Sequence, residues 1–174
     1  MAVAAAGLSL LITPSAVRQA NDFTWHPMAE VAVLFAGIFV TLAPVSAMLQ
    51  AAAEGPLIRG APPVAYFWLA GLLSAFLDNA PTYLGFLSAL RGTAGAESIS
   101  SLLVTHGHQI LAISVASVFF GAATYIGNGP NFMVKAIADH KKIPMPTFLG
   151  FIFKYTLPLL LPMLIAVWWL FFKK

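Results

Sequence analysis

Apolar residues dominate five stretches of the chain, and most polar and charged residues lie in the connections between them. A helix of about 20 apolar residues crosses the ~30 Å hydrocarbon core of a bilayer. The pattern therefore predicts an all-α membrane protein, a polytopic helical bundle with one transmembrane domain over residues 1–174. The predicted helices are 2–17, 27–50, 64–79 followed by 81–90, 105–126 followed by 130–139, and 147–172.

Polar and helix-breaking residues interrupt the third and fourth stretches. The third contains Asp78-Asn79-Ala80-Pro81-Thr82, and the fourth contains Gly127-Asn128-Gly129-Pro130-Asn131. Proline lacks an N–H and disfavours helix at the preceding residue, so we expect one helix to end near Asn79 and the next to begin at Pro81. A re-entrant hairpin or a broken crossing helix fits near 78–82. The second interruption predicts a discontinuous helix near 127–131.

Such interruptions are expensive in lipid, where every backbone N–H and C=O needs a partner inside the protein. Each break pairs a helix C-terminus, whose carbonyls suit a cation, with an N-terminus, whose N–H groups suit an anion. We therefore predict an ion or substrate site there. Its candidate side chains are Asp78, Asn79, Thr82, Thr124, Asn128 and Asn131, and its helix-break residues are Ala80, Pro81, Gly127, Gly129 and Pro130.

Asp78 is the acid of this set. Insertion scales assign a penalty of about 2.5 to 3.5 kcal/mol to a charge at the centre of a membrane helix, which favours a functional role. The alternative is a buried acid that is neutral or hydrogen-bonded to a helix end. Other small or polar residues have simpler interpretations. Ser74, Ser117, Gly71 and Gly121 are interpreted as helix-packing residues. His106 and His108 are interpreted as exposed loop histidines.

Composition agrees with a membrane protein, since 60% of residues are hydrophobic and 9% are charged, against about 25% charged in soluble domains. The net charge of +3 comes from residues flanking the apolar stretches and predicts a lipid bilayer, not nucleic acid, as the partner. The chain has no cysteine, which excludes disulfides and thiolate metal sites. No nucleophile with a base, phosphate loop or zinc helix is visible, so we expect no enzyme activity and no cofactor. Flanking Lys and Arg divide almost evenly, so orientation stays open.

The two interrupted segments carry a resemblance. The runs 68–83 (WLAGLLSAFLDNAPTY) and 124–135 (TYIGNGPNFMVK) resemble the ion transporter superfamily, most closely the branch of sodium:proton antiporters and citrate transporters. The opening residues 23–25 and 30–39 also fit that branch. The resemblance implies two inverted repeats whose hairpin tips and helix breaks meet near the midplane, with 74–83 as the tip and 125–131 as the break.

The resemblance covers one repeat, so the expected protein is the C-terminal half of a secondary active transporter in a bacterial inner membrane. The leading hypothesis is sodium/proton antiport in which Asp78 exchanges Na⁺ for H⁺. A carrier of citrate, a dicarboxylate or another anion, using the N–H groups near Pro81 and Pro130, is the second. The third is a truncated or split subunit without transport of its own. The expected partners are a small inorganic ion or small carboxylate, and a missing N-terminal repeat or a second copy.

Overall fold

The computed structural model describes residues 1–21, 24–53, 60–95 and 98–173, and these residues contain no β-strand. The predicted all-α class is therefore confirmed. A 3₁₀ turn, Gly121–Ala123, follows the sixth helix, and a π-helical segment, Ile152–Leu160, lies within the eighth. The helices are α1 (Ala2–Ile12), α2 (Ser15–Ala20), α3 (His26–Ala53), α4 (Pro63–Leu77), α5 (Asn79–Ala94), α6 (Ile99–Phe120), α7 (Gly129–His140) and α8 (Phe148–Phe171).

Within the described ranges, three helical segments are long and apolar enough to cross a membrane. They are His26–Val45, Ile99–Ala123 and Phe148–Phe171, with 20, 25 and 24 residues and mean hydropathies of 2.1, 1.5 and 1.8. A stretch of this length matches the ~30 Å apolar layer of a bilayer. The chain is an integral membrane protein with several spans.

Helices α4 and α5 form a hairpin. The side chain of Tyr66, near the start of α4, is hydrogen-bonded to that of Thr93, near the end of α5. In one continuous helix these residues would lie about 40 Å apart at 1.5 Å per residue, so the chain reverses at Asp78. The hairpin helices have 15 and 16 residues, too few to span a bilayer singly. Of the two alternatives that the sequence left open, the structure selects the re-entrant hairpin.

Aromatic rings and small residues pack the hairpin against α6 and α8. The Phe67 ring lies edge-on to Phe120 of α6 at 5.5 Å and tilted against Phe172 at 5.1 Å. Gly71 allows this approach, because a Cβ there would overlap the Phe120 ring. Helix α3 packs against α5 and α7. The core therefore lies between the hairpin and α6, and it holds the hairpin tip beside the end of α6.

Four sequence-based expectations differ from the structure. The predicted helix 105–126 lies earlier, as Ile99–Phe120, because Ser98 caps its start and the 3₁₀ turn Gly121–Ala123 follows its end. The predicted helix 2–17 is two helices, because Thr13 is extended before Pro14, as the residue preceding a proline usually is. The first break comes at Asp78, and α5 begins at Asn79 rather than at Pro81. His106 and His108 belong to α6 and not to a loop, with His106 at a kink of non-helical φ/ψ.

Candidate functional site

The hairpin tip is a single residue, Asp78, with φ 83° and ψ 154°. This region is populated almost only by glycine, and a non-glycine residue there costs roughly 1–3 kcal/mol. One carboxylate oxygen, Oδ1, accepts the N–H of Ala80 at 3.4 Å and caps α5. Pro81 falls in the first turn of α5, where a missing N–H leaves no bond unmade. This tolerance explains why α5 begins two residues earlier than the sequence suggested.

The second break lies between α6 and α7. Helix α6 ends at Phe120, the 3₁₀ turn follows, and the chain is extended at Thr124 and Asn128 before α7 begins at Gly129. Asn128 caps α7, because its Oδ1 accepts the N–H of Asn131 at 2.8 Å. The discontinuous helix expected near 127–131 is therefore present.

The two breaks touch each other. Gly129 donates its N–H to Asp78 Oδ2 at 3.1 Å, which joins the hairpin tip to the start of α7 across 51 residues of chain. Thr124 donates its hydroxyl to the carbonyl of Ala75, in the last turn of α4. The same hydroxyl oxygen accepts the N–H groups of Ile126 and Gly127 at 3.3 and 3.1 Å. Asp78 and Thr124 thus fasten the hairpin to the discontinuous helix.

Asn79 makes a second connection between the breaks. In the amide orientation that satisfies its neighbours, its nitrogen donates to the carbonyls of Ser117 at 2.8 Å and Gly127 at 3.2 Å. Ser74 donates its hydroxyl to the same Ser117 carbonyl at 2.6 Å. Gly121 lies against this group, since a Cβ there would overlap the Asn79 side chain and lie 2.9 Å from Gly127 O.

Ser74, Ser117 and Gly121 therefore belong to the site, although their residue types predicted helix packing and the resemblance included only Ser74 in the tip. The spacing of these residues from the breaks could have indicated their role. Ser74 precedes Asp78 by four residues, and Ser117 precedes Gly121 by four, which places each pair on one helix face. Polar or small residues one turn before a break are well placed to meet the groups that the break releases.

The carbonyls released at the end of α6 are bound by side chains. Gly121 O accepts the amide nitrogens of Asn128 at 3.0 Å and Asn131 at 3.4 Å. The Asn131 nitrogen also reaches the carbonyl of Thr124 at 3.3 Å. Both asparagines therefore stabilise the unwound segment itself.

Thr82 differs from the other predicted side chains. It is 1% exposed, and its hydroxyl has no hydrogen-bond partner in the described part of the chain. Leaving a buried hydroxyl unpaired costs about 1–3 kcal/mol. Thr82 therefore contributes a buried, unpaired hydroxyl near the hairpin tip.

The electrostatics of the site centre on Asp78, which is 7% exposed. Among residues 1–21, 24–53, 60–95 and 98–173, no Lys, Arg or His forms an ion pair with it. Its carboxylate instead faces the N-termini of α5 and α7, and each helix dipole stabilises a nearby anion by about 0.3–1 kcal/mol, up to ~2 when partly buried.

The start of α7 has little left to offer an external anion. The N–H of Gly129 is bound by Asp78, Pro130 has none, and that of Asn131 is bound by Asn128. An external anion can therefore bind at this helix end only if the hydrogen bond between Gly129 and the Asp78 carboxylate is broken.

Lys135 points away from this cluster. Its ammonium pairs with Asp139 one turn along α7 and lies 5.7 Å from the centre of the Tyr125 ring. It lines an open groove of about 720 Å³ between α3 and α7, together with His26, Glu30 and mainly apolar residues. We assign it no contact with the hairpin tip.

The described residues contain three helices long and apolar enough to cross a membrane, and two interrupted helices whose ends meet among buried polar groups. This is the architecture of a membrane transport protein. Residues 1–172 match the model of the family described as “Putative citrate transport”. The chain belongs to this citrate transporter family. No curated protein and no solved structure matches it.

Proposed function

We propose that this chain is the transport domain of a cation-coupled carrier in which Asp78 handles the coupling ion, Na⁺ or H⁺. The observation that carries the proposal is the position of the buried Asp78 carboxylate, which bridges the hairpin tip and the start of α7. A charge in such a place is costly and marks an ion pathway in membrane proteins.

The coupling follows from competition for one carboxylate. As an anion, Asp78 accepts the N–H of Gly129 and holds the two breaks together. A proton or Na⁺ on the carboxylate weakens its attraction for this N–H and for the helix dipole. Occupancy by the cation therefore changes the contact between the hairpin and the discontinuous helix, which is the kind of two-state element that alternating access requires.

The solute that we propose is a citrate-type carboxylate, in keeping with the description of the family. When cation binding releases the Asp78 carboxylate from the N–H of Gly129, this N–H becomes free, and a helix N-terminus with a free N–H suits a carboxylate. In this scheme the cation and the carboxylate are carried together. Exchange of Na⁺ for H⁺ without a carboxylate is the second candidate, and it uses the same acid.

A flux assay on the purified protein in liposomes distinguishes these functions. We expect citrate uptake to depend on an inward Na⁺ or H⁺ gradient, and Asp78→Asn to remove this dependence. The matched control is Asp139→Asn, an aspartate whose side chain is 56% exposed and pairs with Lys135. Cation-dependent uptake that survives in Asp78→Asn would contradict the role of the acid. Na⁺-driven proton movement without citrate would identify the antiporter instead.

We further propose that an inverted second unit completes the site, in keeping with the two inverted repeats that the resemblance to the ion transporter superfamily implies. A second copy of this chain is one source of that unit. Uptake per protein molecule, measured at falling protein-to-lipid ratio, tests it. We expect uptake to fall as the copies separate, and a constant value would exclude the second copy as the source.

A further inference from the structure

The break between α6 and α7 has a support that lies outside the hairpin. Thr156, in the π-helical segment of α8, donates its hydroxyl to the carbonyl of Ala123 at 2.6 Å. In a continuous helix this carbonyl would accept the N–H of Gly127, four residues on. Here Gly127 donates to Thr124 Oγ1 instead, at 3.1 Å. Thr156 therefore supplies a donor that the break has taken away from Ala123.

The start of α8 also contacts the break, through an aromatic pair. The rings of Tyr125 and Phe151 lie 4.5 Å apart, and the Tyr125 hydroxyl donates to the carbonyl of Pro146 at 3.1 Å. Phe151 and Thr156 thus both face the break, although they are five residues apart in one helix.

The π-helical segment explains how they share a face. In an α-helix, residues five apart differ by about 140° around the axis, at about 100° per residue. A π-helix bonds residue i to i+5, so residues five apart share one face, as residues four apart do in an α-helix. Leu161 donates its N–H to the carbonyl of Thr156 in this pattern. Pro158 lacks an N–H, so one bond is missing in either pattern, which lowers the cost of leaving the α-helix.

We infer that Thr156 is a positioning residue for the proposed solute site, and that the π-helical segment serves to aim it at the 3₁₀ turn. Thr156 fixes the Ala123 carbonyl, and through it the unwound segment that delivers the N–H of Gly129 to Asp78. It acts on the solute through this segment and not by direct contact. The effect of Thr156 on uptake rests on the proposed function. Its effect on the hydrogen bonds of the break does not.

The structural test is hydrogen exchange at the backbone amides of Ile126, Gly127 and Gly129. Thr156→Val keeps the shape of the side chain but removes the donor, and Thr156→Ser keeps the donor. We expect exchange to rise about five- to tenfold in the valine variant, the effect of losing one hydrogen bond, and to stay at the wild-type rate in the serine variant. Thr41→Val is the matched control, because the Thr41 hydroxyl donates to two carbonyls of its own helix, those of Gly37 and Ile38.

The transport test separates positioning from folding. We expect Thr156→Val to raise the citrate concentration for half-maximal uptake by the same factor, because the loosened segment no longer holds the N–H of Gly129 in place, with maximal uptake per inserted protein unchanged. Wild-type exchange in Thr156→Val, or faster exchange in Thr156→Ser, would overturn the inference. If Thr156→Val fails to insert, Thr156→Cys replaces it, since a thiol is a weak donor. A wild-type protein that carries no citrate and no Na⁺ refutes the proposed function, whereas the exchange rates still decide the role of Thr156.

Discussion

Gly121→Ala tests whether the two breaks are packed as tightly as the structure shows. The backbone at Gly121, with φ −56° and ψ −22°, accepts any residue, so only the added methyl group matters. That methyl would overlap the Asn79 side chain and lie 2.9 Å from the carbonyl of Gly127. A rotamer change relieves the first contact but not the second, because the second involves backbone.

The expected cost has two parts. Overpacking a close contact costs about 1–3 kcal/mol, and displacing Asn79 forfeits its two hydrogen bonds, at about 1 kcal/mol each. The sum is about 3–5 kcal/mol, which corresponds to a loss of roughly 6–20 °C in Tm for a protein of this size. Gly92→Ala is the matched control, since a Cβ at Gly92 meets nothing within 4 Å. It should stabilise α5 by about 0.5–1 kcal/mol.

Thermal unfolding in detergent micelles measures both variants, and Asn79→Ala completes a double-mutant cycle. We expect Asn79→Ala to cost less in the Gly121→Ala background than in the wild type, because its bonds are already lost there. Equal Tm values for Gly121→Ala and Gly92→Ala would refute the contact between the breaks. Strict additivity in the cycle would refute the part assigned to Asn79.

Two further substitutions probe the start of α7. Gly129→Ala places a Cβ 2.5 Å from the Phe35 ring of α3, so it should destabilise the protein by about 1–3 kcal/mol. Phe35→Ala should relieve most of this cost in a double-mutant cycle of Tm values, and no relief would show that the strain lies elsewhere. Asn128→Ala removes the cap of α7 and should cost about 1 kcal/mol. Faster amide exchange at Asn131 would check it, while an unchanged rate would contradict the assigned cap.

Local pattern alone predicted the start of the helix after each break to within two residues, at Pro81 and Pro130 against the observed Asn79 and Gly129, but it placed the end of α6 at residue 126 instead of Phe120. Hydropathy fixes which stretches enter a membrane, and proline and glycine act on their own and neighbouring backbone dihedrals, so neither signal needs a fold. Asp78 stood out for the same reason, since a charge within an apolar stretch is visible in the sequence. The exact start of α5 was less clear, because a proline is tolerated anywhere in the first helical turn.

Tertiary structure decided which groups the breaks meet. The choice between a hairpin and a broken span depends on whether Tyr66 reaches Thr93, and that is a matter of packing against α6. Gly129 is hydrogen-bonded to Asp78, 51 residues away in the chain, and Thr156 to Ala123, 33 residues away. No local periodicity encodes such distances.

The sequence by itself therefore determined the membrane class, the helical content and the positions where the backbone unwinds, because these follow from hydropathy and from short-range steric rules. Only the folded chain decided that one carboxylate caps two helices and that a π-helical turn brings Thr156 to the break. The physical reason is that hydrogen bonds act over about 3 Å, and only packing brings groups from distant segments within that reach.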